Sequence, residues 1–149
     1  MSYKDCCVDE EWHNFQNFAE WFEKNWYECN EKLVLDKDVK QHGNKNYSKN
    51  NCMLLPEKLN LLFVKESGRR GNLPIGVYFS TNANCYIAEC SKDGKPQYLG
   101  CYTNVEDAFL KYKHFKENYI KELLEEKYKD ILPIDVYNAV YKYEIDIND

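Results

Sequence analysis

The side chains best suited to chemistry in this 149-residue chain gather between residues 31 and 72. That segment holds Lys40, Lys45, Lys49, Arg69 and Arg70, and its seven lysines and two arginines outnumber five acids. Cations spread along a polar stretch are what phosphate neutralisation requires, and duplex DNA offers the densest row of phosphates. The flanks have the opposite sign. Residues 1–30 carry two lysines against seven acids, and residues 73–149 nine lysines against thirteen, so the whole chain stands at −5. Asp36 and Asp38 are close enough to share a cation, but two acids in a polar turn are expected to be solvated. His13 and His114 are expected on exposed helix faces, and neither has a Cys or His at ligand spacing. The stretch GRRGNLPIG lacks the strand–loop–helix setting and the terminal Lys-Ser/Thr of a phosphate-binding loop. Seven cysteines (Cys6, Cys7, Cys29, Cys52, Cys85, Cys90 and Cys101) form no Cys-x-x-Cys pair, so buried reduced thiols are expected rather than a metal site. No cofactor is implied.

These residues need elements to position them, and 44% hydrophobic with 15% aromatic residues suffices for a core. Trp12, Phe15, Phe18, Trp21, Phe22 and Trp26 recur near i, i+3, i+4, which predicts an amphipathic helix over residues 8–30 with a core-facing aromatic stripe. Asp9, Glu10 and Glu11 suit its first turn. KLVLD and CMLL predict short strands around a polar loop, and Pro56 suits the first position of a helix in PEKLNLLFVKES. After Ile75 the pattern becomes three strands, IGVYFS, CYIAECS and QYLGCYT, separated by turn clusters. A long helix follows over residues 105–129, with Asn104 as its cap and Ala108, Phe109, Tyr112, Phe115, Tyr119, Ile120 and Leu123 on its apolar face. Pro133 precedes a last helix. The fold class expected is α+β, with a helical region over residues 1–72 and a sheet–helix domain over residues 73–149. No apolar run approaches the roughly 20 residues a membrane helix needs, and the acidic N-terminus is unlike a signal peptide, so a cytoplasmic, non-membrane protein is expected.

The strands carry a family resemblance. Gly76-Val77-Tyr78-Phe79, Tyr86-Ile87-Ala88, Tyr98-Leu99-Gly100 with Tyr102, and Glu106-Asp107-Ala108 follow in an order and spacing that resembles the Apetala-two-type DNA-binding domain of HNH homing endonucleases. The resemblance implies a three-stranded antiparallel sheet packed on the long helix, with its outer face in the major groove. Strand alternation then turns Val77, Phe79, Tyr86, Ala88, Cys90 and Tyr102 toward the helix. It leaves Tyr78, Ser80, Glu89, Ser91, Pro96 and Tyr98 outside, where the family places its DNA-reading residues. None of these is Arg; Tyr98 keeps a stacking aromatic, while Lys92 and Lys95 in the turn are within reach of phosphates.

Upstream, LDKDVKQHGNKNYSKNNCMLLP resembles an HNH core in outline. Asp36-Lys37 stands where that family has Asp-His, Asn51 at the orienting Asn, and Asn60 or Glu57 at the late metal ligand. A lysine of ordinary pKa stays protonated and does not take a proton from water near neutral pH. His42 lies six residues from Asp36 and substitutes only if the loop folds back. The region therefore reads as a degenerate core kept for shape, with no catalytic residue assigned.

Three functions follow as expectations. The first is a non-enzymatic DNA-binding accessory protein of a phage or mobile element. Lys40, Lys45, Lys49, Arg69, Arg70, Lys92, Lys95 and Tyr98 would hold double-stranded DNA. The second is a phage anti-defence protein of anti-CRISPR type that inhibits a basic nucleic-acid-binding host enzyme. Its carboxylates, Glu89, Glu122, Glu125 and Glu126, would occupy the groove meant for nucleic acid. The third is an HNH endonuclease with an altered site.

Overall fold

Short side chains that compete with the backbone for hydrogen bonds break the N-terminal aromatic pattern into two helical pieces. In the computed structural model, which describes residues 6–64 and 71–149, the chain is an α+β protein of two compact units. The first unit runs to Val64 and takes in Leu124–Tyr143; the second holds the remainder to Leu123 and Glu144–Asp149.

In the first unit, strand β1 (Cys7–Val8) leads to a 3₁₀ turn (Glu10–His13) and helix α1 (Phe15–Asn25). The side chain of Asp9 accepts the Glu11 N–H, and that of Asn14 accepts the Gln16 N–H. Asn14 has extended dihedrals, so it ends one helical piece and caps the next where a continuous helix over residues 8–30 was expected. Strand β2 (Leu33–Asp36), strand β3 (Asn46–Tyr47) and strand β4 (Met53–Pro56) follow. β2 pairs antiparallel with β4, and β1 pairs parallel with β3. Pro56 ends β4 and serves as the N-cap of α2 (Glu57–Asn60) rather than its first helical residue. A 3₁₀ turn (Leu61–Phe63) ends the described part of the expected 56–67 helix.

The core of this unit joins Cys52, Met53, Leu54, Leu55, Leu59 and Phe63 to buried residues of the C-terminal segment, among them Leu124, Tyr128, Val136 and Val140. This is why residues 124–143 belong with the N-terminal region, a grouping that a division after residue 72 does not show. The Tyr128 hydroxyl donates to Glu31 at 3.0 Å, and the Phe63 and Tyr143 rings meet edge-on at 4.7 Å.

The second unit is a sheet of strands β5 (Val77–Ser80), β6 (Cys85–Lys92) and β7 (Lys95–Tyr102) in that order, all antiparallel. Helix α3 (Val105–Leu123) packs on it, and α4 (Ile134–Tyr141), in the first unit, completes the helices. Asp93-Gly94 turns β6 into β7 with both φ angles positive (52° and 75°), as a tight two-residue hairpin requires. Val77, Ala88 and Gly100 align across the sheet, as do Phe79, Tyr86 and Tyr102. A bulge at Ala88/Glu89 leaves Leu99 unopposed and brings Tyr98 beside Glu89. The Asn104 side chain accepts the Asp107 N–H at 2.8 Å and donates to the Asp107 carboxylate, so the expected cap of α3 forms. α3 ends at Leu123, six residues short of the expected span, and Leu124–Tyr128 form a π-type turn. On α3, Lys116 occupies a buried position beside half-buried Phe115. Gly76 (φ 76°) lies so close to Tyr112 that an added Cβ would stand 2.0 Å from the ring.

Cysteine chemistry departs from expectation. Cys85 and Cys101 form a disulfide, because the β6–β7 pairing brings residues sixteen apart in sequence to a Cα separation of 6.0 Å. Cys52 and Cys90 are buried thiols, whereas Cys6, Cys7 and Cys29 are partly or fully exposed. Among the described residues no helix is long and apolar enough to cross a membrane.

Candidate interaction site

The polar loop after β2 is tied down by its own side chains. Buried Asp36 accepts the N–H groups of Asp38 (3.0 Å) and Val39 (2.8 Å). Burial raises its pKa above the ordinary carboxylate value, and the two backbone donors oppose that rise. The expectation that Asp36 is solvated therefore does not hold: two backbone amides take the place of water. Lys37 Nζ donates to Asp38 (2.7 Å) and to the Asn44 carbonyl (2.8 Å). The Asn44 amide donates to the carbonyls of Lys37 and Asn46, and its oxygen accepts from the Asn46 N–H and the Asn51 side chain.

Several of the HNH-like positions thus meet partners within their own unit. Lys37 is held in an ion pair, Asn51 points to Asn44, and Glu57 pairs with Lys32 at 3.3 Å. Asn60 lies at the end of α2. His42 is exposed, with its ring 6.0 Å from that of Tyr143. His13 and His114 are exposed as expected. Among the described residues no group of three or more His, Cys, Asp or Glu side chains is placed to hold a metal ion.

The candidate phosphate-binding cations are distributed over both units, and several are engaged. Lys40 Nζ donates to the Cys52 carbonyl at 2.7 Å. Lys49 pairs with Glu11 at 2.7 Å, and that hydrogen bond raises its pKa. Lys92 pairs with Glu122 at 2.8 Å and lies 5.1 Å from the centre of the Tyr119 ring; the Glu122 bond likewise raises its pKa. Lys45 and Lys95 are exposed. Arg69 and Arg70 lie outside the described residues.

Of the candidate acids, Glu122 is thus paired with Lys92. Glu125 is bonded to Lys129 and to the Tyr137 hydroxyl, which holds its carboxyl below the usual range and pushes the Tyr137 phenol up to about 12. Glu126 is exposed, and Glu89 is half-buried on the outer sheet face.

That outer face is aromatic rather than cationic. Tyr98 is 64% exposed and Tyr78 43%, with Glu89 opposite Tyr98 and Ile87 opposite Tyr78. Ser91 and Pro96 continue the face toward the hairpin. On the helix side Val77, Ala88 and Cys90 are buried, but Phe79 stays largely exposed and meets Tyr86 edge-on at 5.1 Å. No protein-family model, curated protein or solved structure matches this chain.

Sequence reasoning missed a second aromatic surface, in the first unit. The stripe of α1 was expected in the core, yet no residue of this helix is buried. Buried Trp12 gathers Phe18 and Trp21 at ring distances of 5.2 and 4.9 Å. Phe15, Phe22 and Trp26 remain open to solvent. The signal was present in the spacing. At about 100° per residue, Phe15, Phe22 and Trp26 fall within roughly 40° of one another, about a third of a turn from Trp21.

Proposed function

We infer that the chain is a non-enzymatic binding protein that antagonises a basic, nucleic-acid-binding enzyme, the role that phage anti-defence proteins such as anti-CRISPRs perform. The observation that supports it is the use of the lysines. Lys40, Lys49 and Lys92 each close onto an acceptor of their own chain, while the outer sheet face offers Tyr78, Tyr98 and Glu89. Phosphate binding needs cations that exchange their counterions for the ligand, and a lysine already in an ion pair contributes less. Aromatic side chains with a carboxylate among them suit a protein surface carrying lysine or arginine, where tyrosine gives large contact area at low entropic cost. Duplex DNA binding is the competing reading, supported by exposed Lys95 and Tyr98 on β7.

The test is an anisotropy titration of labelled mixed-sequence duplex at low and moderate salt, with and without magnesium. The duplex is used both alone and bound to basic nucleases, RNA-guided effectors among them. The expected result is no binding to free duplex and release of duplex from one such enzyme, with Glu89→Lys and Tyr98→Ala weakening release. Salt-sensitive binding to free duplex would instead establish DNA binding, and magnesium-dependent cleavage would establish a nuclease.

A further inference from the structure

The exposed side of α1 is organised. Asn17, Phe18 and Trp21 face the unit's interior: Asn17 donates to the Glu11 carbonyl, Trp21 Nε1 donates to the Lys49 carbonyl, and both Phe18 and Trp21 pack on Trp12. That contact fixes the rotation of the helix. It leaves Phe15 (76% exposed), Phe22 (36%) and Trp26 (55%) along one solvent-facing line. From Phe15 to Trp26 the line covers about three turns, or roughly 16 Å. Glu23 stands exposed on the flank of this line away from Trp21, while Glu20 and Lys24, also exposed, lie toward the opposite side of the helix. Single exposed apolar residues are ordinary, but three exposed aromatics in line along α1 and its C-cap residue Trp26 are of the kind that marks an interaction site.

We propose that Phe15, Phe22 and Trp26, flanked by Glu23, form a docking face for a basic amphipathic helix of a partner protein. This rests on the reading of the chain as a protein-binding antagonist and gives it a second contact surface, in the first unit. Charge selects the occupant. Residues 1–30 carry −5, which attracts a segment rich in lysine and arginine. The same charge repels anionic headgroups, and a second copy of α1 would set like charges against each other. The spacing fits too, since apolar side chains at i, i+3 or i+4 and i+7 of a bound helix match a line three turns long. The rim aromatic Trp26 offers its face to an arginine.

The experiment is an anisotropy titration of the full chain against a labelled synthetic amphipathic helix of leucine, lysine and arginine. A leucine–glutamate helix and vesicles of neutral and anionic phospholipid serve as controls. Saturable binding to the basic helix alone is expected, weakening several-fold between low and moderate salt. The Phe15→Ala/Trp26→Ala variant should bind at least tenfold more weakly, and Glu23→Lys several-fold more weakly. These side chains are exposed, so both variants should melt with the parent chain.

Four results would each overturn the proposal. They are no binding by the parent chain, equal binding by the variants, equal binding of the acidic helix, or a patch-dependent preference for vesicles or self-association. If the parent chain ignores the helix yet still releases duplex from a nuclease, this docking face fails and the antagonist reading stands. Failure of both assays removes both.

Discussion

The two units are held together by different means. In the second unit the backbone does most of the work: three strands exchange ladder hydrogen bonds in a register fixed by alternation, a two-residue hairpin and one bulge. In the first unit the strand pairs are two to four residues long. Between them the loop from Asp36 to Cys52 depends on the side chains of Asp36, Lys40 and Asn44 bonding to backbone groups. A ladder tolerates many sequences of the right period, whereas a side-chain network needs particular residues at particular places. The units also present different aromatic surfaces: tyrosines on a sheet face in one, and a Phe/Trp line on a helix in the other.

Gly76→Ala should break the second unit most severely. The new methyl would sit on the Tyr112 ring at a position with φ of 76°, so the ring or strand β5 must move. A loss of roughly 3 kcal/mol is expected from overpacking together with backbone strain, measured by denaturant unfolding. The loss of protection in hydrogen exchange should be confined to β5–β7 and α3. Replacing Cys85 and Cys101 by serine removes the closure of the β6–β7 hairpin and should cost about 2–3 kcal/mol. Addition of a thiol reductant to the parent chain should reproduce most of the shift in Tm.

Asn44→Ala tests the other mode of construction. It deletes bonds to Lys37, Asn46 and Asn51, and should cost about 1–3 kcal/mol with the exchange effect restricted to the loop of the first unit. The smallest effect is expected from Asp36→Asn, which keeps an oxygen acceptor for the Val39 N–H and removes a buried charge. Because the folded pKa of Asp36 is raised, its ionisation opposes folding above the unfolded carboxylate range. That opposition disappears as pH falls through the folded value. Asp36→Asn should therefore be modestly more stable than the parent chain near neutral pH, with the gap closing in acid. Asp36→Ala, lacking the acceptor, should be less stable than the parent.

Much of the fold was legible in the sequence because it depends on local period and turn chemistry. Alternation after Ile75, the Asp-Gly hairpin and the Asn104 cap specify the strands, the second turn of the sheet and the start of α3 by themselves. The outward placement of Tyr78 and Glu89 follows from the same alternation, whereas Tyr98, of the same parity as Tyr102, is turned outward by the bulge at Ala88/Glu89. What the pattern did not settle depends on contacts between residues far apart. Periodicity gives the aromatic line on α1 but not which side of it meets the core, and packing against Trp12 decided that. Spacing along the chain does not disclose that Cys85 meets Cys101, that Lys49 closes onto Glu11, or that residues 124–143 complete the core of the N-terminal region. Composition fixed the charges; only the tertiary structure decided which of them were already spent on one another, because an ion pair is a property of distance in space and not of distance along the chain.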